Sequence, residues 1–145
     1  PILINNFQDT STFVEFRNMG FLKKIEMNHA ITALDYSNNT LWYGTETAGL
    51  FFRIDQEDKA GQFEAAENSL WTEESILALK ALPDGTVWMG TSGGIYWFDG
   101  ESWTQIEEAK EAGFIDVHLI EPAPDGTVWF GSATQGLARF GLIQE

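Results

Sequence analysis

A five-residue motif occurs three times in this chain, and that repetition constrains the fold more than any other feature. Leu41-Trp42-Tyr43-Gly44-Thr45, Val87-Trp88-Met89-Gly90-Thr91 and Val128-Trp129-Phe130-Gly131-Ser132 share one order: apolar, Trp, apolar, Gly, hydroxyl. The tryptophans stand 46 and 41 residues apart. The match extends upstream to Asn38-Asn39, Pro83-Asp84-Gly85-Thr86 and Pro124-Asp125-Gly126-Thr127. Downstream it reaches Gly49-Leu50, Gly94-Ile95 and Gly136-Leu137. Still further upstream, Ile31-Ala33-Leu34 aligns with Ile76-Ala78-Leu79 and Val117-Leu119-Ile120. A tandem unit of this size is one supersecondary module whose apolar faces are buried only by its neighbours.

Each unit reads as strands. Asp-Gly and Asn-Asn pairs suit hairpin turns, because Gly takes positive φ freely and Asp or Asn tolerates it. The Trp-containing runs are nearly continuous apolar stretches, as expected of strands covered on both faces. The glycines after them mark a second hairpin into a third strand. Gly61-Gln62-Phe63-Glu64-Ala65 and Ser102-Trp103-Thr104-Gln105-Ile106 read as fourth strands. Four antiparallel strands repeating every ~40–45 residues are the signature of a propeller blade. The expected fold is therefore an all-β propeller of about three four-stranded blades, near 31–67, 76–106 and 117–141.

The unit Ile76-Leu77-Ala78-Leu79, Pro83 to Thr91, Gly94-Ile95 and Phe98-Asp99-Gly100, with its lead-in Asn68-Ser69-Leu70, resembles the two-component regulator propeller repeat. The resemblance covers roughly residues 20 to 141. It implies a sensor-type propeller that binds a ligand or a protein and catalyses nothing. A slighter resemblance, through Pro124 to Phe130, is to the streptogramin-lyase propeller, but no His-rich site like that enzyme's is repeated here.

Strand counting adds an expectation about assembly. The third unit ends after its third strand, at Arg139-Phe140. Gly20 to Met27 is strand-like and sits where an outer fourth strand belongs, so it is expected to complete that last blade. Three blades leave open edges and faces, whereas propellers close with ~4–8 blades. A homodimer giving six blades is the expected assembly. Phe13 to Phe16 is one more short strand candidate.

Several side chains invite a functional reading. Trp42, Trp88 and Trp129 are expected between blades, as packing. Trp71 in a loop and Trp103 on an outer strand stand apart from these, and either could be exposed. Arg53 and Arg139 align in one slot, with Trp97 between them, each expected to lie over a blade and pair with an acid. Asp55, Asp84, Asp99 and Asp125 fit structural turn positions. His29 and His118 flank or lie on innermost strands, each expected to make a local hydrogen bond. Two acidic connections, Glu64 to Ser75 and Glu107 to Asp116, share one propeller face with Glu46-Thr47-Ala48 and Ala133-Thr134-Gln135. In the second, Glu107 to Ala112 favours a helical turn ending at Gly113. The expected ligand-binding set on that face is Glu46, Trp71, Glu73, Glu107, Phe114, His118 and Gln135.

Composition narrows the partners. Asp plus Glu number 22 against 8 Lys plus Arg, a formal charge of −14. Such a surface repels phosphate backbones and anionic lipid, so neither nucleic acid nor membrane is expected. A small polar or cationic ligand, or a basic protein, suits it. Cysteine is absent, which removes thiolate chemistry. No catalytic triad, phosphate-cradling loop or metal-ligand cluster is legible, so no cofactor and no enzymatic activity are expected. The rival expectation is a carbohydrate-binding lectin assembled by oligomerisation. No signal-peptide pattern opens the sequence, which suits the cytoplasm; an excised sensor piece would instead be periplasmic.

Overall fold

The computed structural model of the chain describes residues 19–55, 64–66 and 70–141. The strand candidate at Phe13 to Phe16, most of the fourth strand expected from Gly61, and the lead-in Asn68-Ser69 lie outside them. The described chain is all-β, with eleven strands and one short helix. Sheet 1 comprises β1 (Ile31–Ser37), β2 (Thr40–Thr45), β3 (Leu50–Ile54) and β4 (Glu64–Ala65) in consecutive order. Sheet 2 comprises β5 (Ile76–Ala81), β6 (Val87–Thr91), β7 (Gly94–Phe98) and β8 (Trp103–Gln105). Sheet 3 has three strands, β9 (Val117–Pro122), β10 (Val128–Ser132) and β11 (Gly136–Phe140). All pairings are antiparallel meanders.

The turns follow from local chemistry. Asn38 and Asn39 both take positive φ, the geometry a two-residue hairpin loop requires. In the equivalent turns only Gly85 and Gly126 do so. There the aspartates act through their side chains instead. Asp84 Oδ1 accepts from the Thr86 N–H at 3.0 Å and the Thr86 hydroxyl at 2.6 Å. Asp125 does the same with Thr127. These bonds stabilise the ionised form and hold both carboxyls below the ordinary aspartate value. The hairpin from β7 to β8 is capped alike, Asp99 Oδ1 accepting from the N–H groups of Glu101 and Ser102.

The sheets stack face to face through two apolar clusters. Trp42, Leu50, Trp71, Ile76, Leu79, Val87, Met89 and Tyr96 join sheets 1 and 2. Trp88, Ile95, Phe114, Val117, Val128 and Phe130 join sheets 2 and 3. Sheets 1 and 2 thus each have a forward face carrying the repeat Trp, and sheets 2 and 3 a rear face that receives the Trp of the sheet before. Trp42 meets Phe98 and Trp103 edge-on at 5.5 and 5.9 Å. Trp88 meets Phe130 and Phe140 edge-on, both at 5.4 Å. The first strands of the three sheets, β1, β5 and β9, lie side by side, each with a register shift at the same place.

The repeated order Trp-x-Gly-Thr/Ser now has a physical cause. A Cβ on Gly44 would collide with the Ile76 side chain, and one on Gly90 with Val117, whose Cγ1 lies 2.8 Å away. The glycine is a notch into which the next sheet's first residue fits. The hydroxyl that follows caps the next turn. Thr45 Oγ1 donates to the Gly49 carbonyl and accepts from the Ala48 N–H. Thr91 Oγ1 accepts from Gly93 and Gly94, and Ser132 Oγ from Thr134 and Gln135.

Three expectations need revision. Trp129, expected between sheets like Trp42 and Trp88, is 41% exposed, because no fourth sheet follows it among the described residues. Trp71 is buried, not exposed: its loop folds back so that the ring meets Tyr96 and Trp103 edge-on at 5.6 and 5.2 Å. Arg53 and Arg139 do not share a slot. Trp42, Trp88 and Trp129 pair with Phe52, Trp97 and Arg139, so Arg53 corresponds to Phe98 and Phe140. Arg53 stands four residues after Gly49, whereas Trp97 and Arg139 stand three after Gly94 and Gly136, so aligning the blocks by Asp55 and Asp99 shifts it by one. Residues 20–27 form no strand pairing among the described residues, and Phe21 and Leu22 are almost wholly exposed. Met27 and His29 lie on the rear of sheet 1 instead, the Tyr43 hydroxyl 3.7 Å from Met27 Sδ and His29 stacked on Phe51 at 5.5 Å.

Candidate functional site

The stack has two ends, one bearing the Asn-Asn and Asp-Gly hairpins, the other the lead-ins to the innermost strands. The lead-in end is built from one repeated connection. Glu46 N–H donates to the Ala30 carbonyl, Ser92 N–H to Ser75, and Ala133 N–H to Asp116. These bonds tie each turn before a third strand to the segment entering the first. A second tie links the Thr134 hydroxyl to Asp116 at 3.2 Å.

The expected ligand residues are spread along this end. Trp71 and Glu73 line one shallow cavity of about 400 Å³ with Thr47, Ala48, Gly49 and Glu74. Glu73 takes positive φ, at 70°, a rare backbone state for a non-glycine residue. Glu46 adjoins that cavity through the same turn but does not line it. Glu107 starts the short helix α1 (Glu107–Glu111), is exposed, and has Gly113 at positive φ after its end. Phe114 is buried between sheets 2 and 3. His118 is exposed, its Nδ1 3.4 Å from the Asp116 carbonyl oxygen. Gln135 is exposed in the last turn. The structure brings Trp71 and Glu73 together and leaves the others apart.

Glu74, which sequence reasoning passed over, is the anchored acid of this end. Its carboxylate accepts from the Thr91 hydroxyl at 2.7 Å and from the Tyr96 hydroxyl at 2.9 Å. It also packs where any side chain on Gly93 would stand. Tyr96 lies 2.9 Å from the Leu70 carbonyl as well. Burial first, and then the neighbouring carboxylate, push the Tyr96 phenol well above its ordinary value, so it stays a neutral donor. The readable signal was Thr91, whose repeat position implies a turn-capping role that a nearby acid can extend.

The larger cavity lies at the opposite end, between sheets 1 and 2, with a volume of about 570 Å³. Trp42, Phe52, Phe98 and Trp103 form its aromatic wall, and Asn38, Asp84, Thr86 and Glu101 are among its polar lining. The four rings are mutually packed, with centroids 5.2 to 5.9 Å apart along Phe52–Trp42–Trp103–Phe98. A concave apolar wall with a few polar groups, at this volume, has the form of a small-molecule site. Among the described residues no three His, Asp or Glu side chains are grouped to hold a metal, and no helix is long and apolar enough to cross a membrane. No family model, curated protein or solved structure matches this chain.

Proposed function

We propose that the chain is a non-enzymatic binding module of β-propeller type, resembling the sensor propellers of two-component regulators. The observation that carries this reading is the repeated junction: Ile76 over Gly44 and Val117 over Gly90, with Trp42 and Trp88 packed forward each time. Sheets joined by one repeated contact, with their first strands side by side, suit radial blades around an axis. In this reading the acidic lead-in end, with Glu46, Glu73 and Glu107, takes a polar or cationic ligand or a basic protein. Calorimetric titration with a basic peptide at low and high salt tests it. Binding that weakens steeply with salt, and weakens again in a Glu46→Gln, Glu73→Gln, Glu107→Gln variant, is expected. Salt-independent binding, or none, overturns it.

The aromatic cavity favours a second reading, a carbohydrate-binding lectin. Sugars stack their apolar faces on rings and bond their hydroxyls to carboxylates and amides, and Trp103, Asp84 and Asn38 supply both kinds of group. A glycan array decides. Selective glycan binding lost on Asp84→Ala supports the lectin, and an empty array removes it.

A further inference from the structure

Among the described residues, sheet 3 lacks the fourth strand that sheets 1 and 2 carry on their outer edge. There β4 and β8 pair with β3 and β7, whereas β11 pairs only with β10. A bare edge is a row of unpaired N–H and C=O groups, a template for another strand. The first described residues have the form of that strand. Each fourth strand ends on one backbone bond, from the Ala66 N–H to Leu50 and from the Ile106 N–H to Ile95. Eight residues then separate Ala66 from Ser75, and nine separate Ile106 from Asp116. The Ser75 and Asp116 carbonyls accept from the turn of the sheet they enter, and Ala30 is their counterpart before β1. Each of these connections packs a ring on that sheet: Trp71 meets Tyr96, and Phe114 is buried between sheets 2 and 3. Before β1, His29 takes that part, stacked on Phe51, the residue equivalent to Tyr96. A similar connection, the seven residues Lys23 to His29, ends a fourth strand at Leu22. Met19, Phe21 and Leu22 are 75%, 86% and 96% exposed in the single chain.

We infer that Met19 to Leu22 of a second copy of this chain adds to the free edge of β11 as the fourth strand of sheet 3. This rests on the propeller reading and deepens it, by naming the partner and the strand exchanged. In the register of sheets 1 and 2, the Leu22 N–H donates to the Leu137 carbonyl, with Phe21 opposite Ala138, Gly20 opposite Arg139 and Met19 opposite Phe140. Phe21 and Met19 then extend the apolar rear of sheet 3, where Ala138 and Phe140 pack, as Trp103 extends the rear of sheet 2. Gly20 sets no side chain against Arg139, which keeps its pairing with Asp125 at 2.9 Å and its place over the Trp129 ring. The segment does not reach its own β11. Met27 is held at the rear of sheet 1, its Sδ 3.7 Å from the Tyr43 hydroxyl. From Met27 to Leu22 the chain spans at most about 18 Å. Passing from sheet 1 across sheet 2 to sheet 3 takes about 20 Å at the usual spacing of stacked sheets. The contact is made at an edge, so Met27 and His29 keep their cover of sheet 1. Charge favours it, because Lys23 and Lys24, the only adjacent basic pair, follow the strand onto a partner of formal charge −14. Each copy gives one strand and takes one, so two copies satisfy both edges.

Disulfide trapping tests the inference, because the chain has no cysteine and introduced thiols have no rivals. In this register Phe21 and Ala138 form a non-hydrogen-bonded pair, whose short Cα separation lies within disulfide range. Phe21→Cys alters an exposed side chain and Ala138→Cys a small one, so both variants fold. Mixed under mild oxidation, they are expected to give a covalent pair of twice 16.2 kDa. It is expected to form roughly 10-fold or more faster than in either variant alone, since a docked pair has a far higher effective concentration than free chains. No pair in the mixture overturns the exchange, and so do equal rates in mixture and single variants, which signal collision or a symmetric contact. Leu22→Pro is an independent check. It removes the N–H that donates to Leu137, at a site exposed in the single chain. Light scattering is expected to give twice 16.2 kDa for the wild type. In the variant, self-association is expected to weaken by roughly 10-fold or more. A wild-type monomer overturns the exchange, as does a variant dimer of undiminished strength. Near-ultraviolet circular dichroism separates the two levels. A monomer with full aromatic signal loses only the exchange, whereas a wild type without that signal loses the stacked sheets as well.

Discussion

Gly90→Ala is the sharpest single perturbation of the stacked sheets. The added methyl would stand 2.8 Å from Val117 Cγ1 and 3.0 Å from its carbonyl carbon, with the carbonyl oxygen closer still. Carbon atoms are content at 3.5–4.0 Å, so the innermost strand of sheet 3 must move back. The obstacle is backbone inside a sheet, so no rotamer change relieves it. Overpacking of this kind costs about 1–3 kcal/mol, and a backbone obstacle belongs at the upper end. Removing a strand glycine returns roughly 0.5–1 kcal/mol of chain entropy. The net loss is about 2 kcal/mol, which lowers Tm by roughly 4–8 °C for a chain of this size. Two companions calibrate it. Gly44→Ala meets the Ile76 side chain, which can turn aside, and should cost about half as much. Gly131→Ala meets only the Leu119 side chain, at 3.0 Å or more, and should be close to neutral. Thermal denaturation of the three variants orders them. A Gly90→Ala protein as stable as Gly131→Ala would refute the notch.

Other outcomes follow from the same packing. Trp88→Ala, at a site 7% exposed, should cost ~3–5 kcal/mol in urea denaturation, and Trp129→Ala, at a site 41% exposed, about 1 kcal/mol or less. Equal losses would contradict the exposure of the third tryptophan. Glu74→Ala removes the acceptor shared by Thr91 and Tyr96 and should destabilise by ~1–3 kcal/mol; Glu73→Ala, one residue away and exposed, should leave Tm unchanged. Asp84, Asp99 and Asp125 have folded pKa values below the ordinary 3.8. The folded chain therefore binds fewer protons than the unfolded chain in acid, and their contribution, full above 3.8, is lost as pH falls through the lowered values. The triple Asp→Asn variant should show a shallower acid limb in a pH series of melts, and an unchanged limb would remove these turns as its source.

The strands were legible because their signals are local. Trp-x-Gly-Thr/Ser and the Asp-Gly turns fix strand edges by φ and by short-range hydrogen bonds. What Gly44 and Gly90 do was not legible, since the atom that needs the space belongs to a strand about 30 residues on. The slot of Arg53 was misaligned because the match was made on like residues, Arg53 with Arg139 and Asp55 with Asp99, whereas register is counted from the turn. Trp71 read as an exposed loop aromatic because nothing in Asn68 to Ser75 reveals that the loop folds back over Tyr96. The aromatic cavity was missed for a similar reason: its wall combines Trp42 with Phe98 and Trp103, residues that meet only when two sheets stack. The acidic lead-in end was easier to anticipate, because the charge runs in Glu64 to Ser75 and Glu107 to Asp116 are visible as composition.

A structure of the assembled particle, by crystallography or electron cryo-microscopy, tests the central claim most directly. The account predicts a closed ring of six sheets from two chains. In it Trp129 and Leu137, 41% and 75% exposed in the single chain, are covered by the second copy. An open stack of three sheets with Trp129 in solvent, or sheet 3 meeting sheet 3, would contradict it.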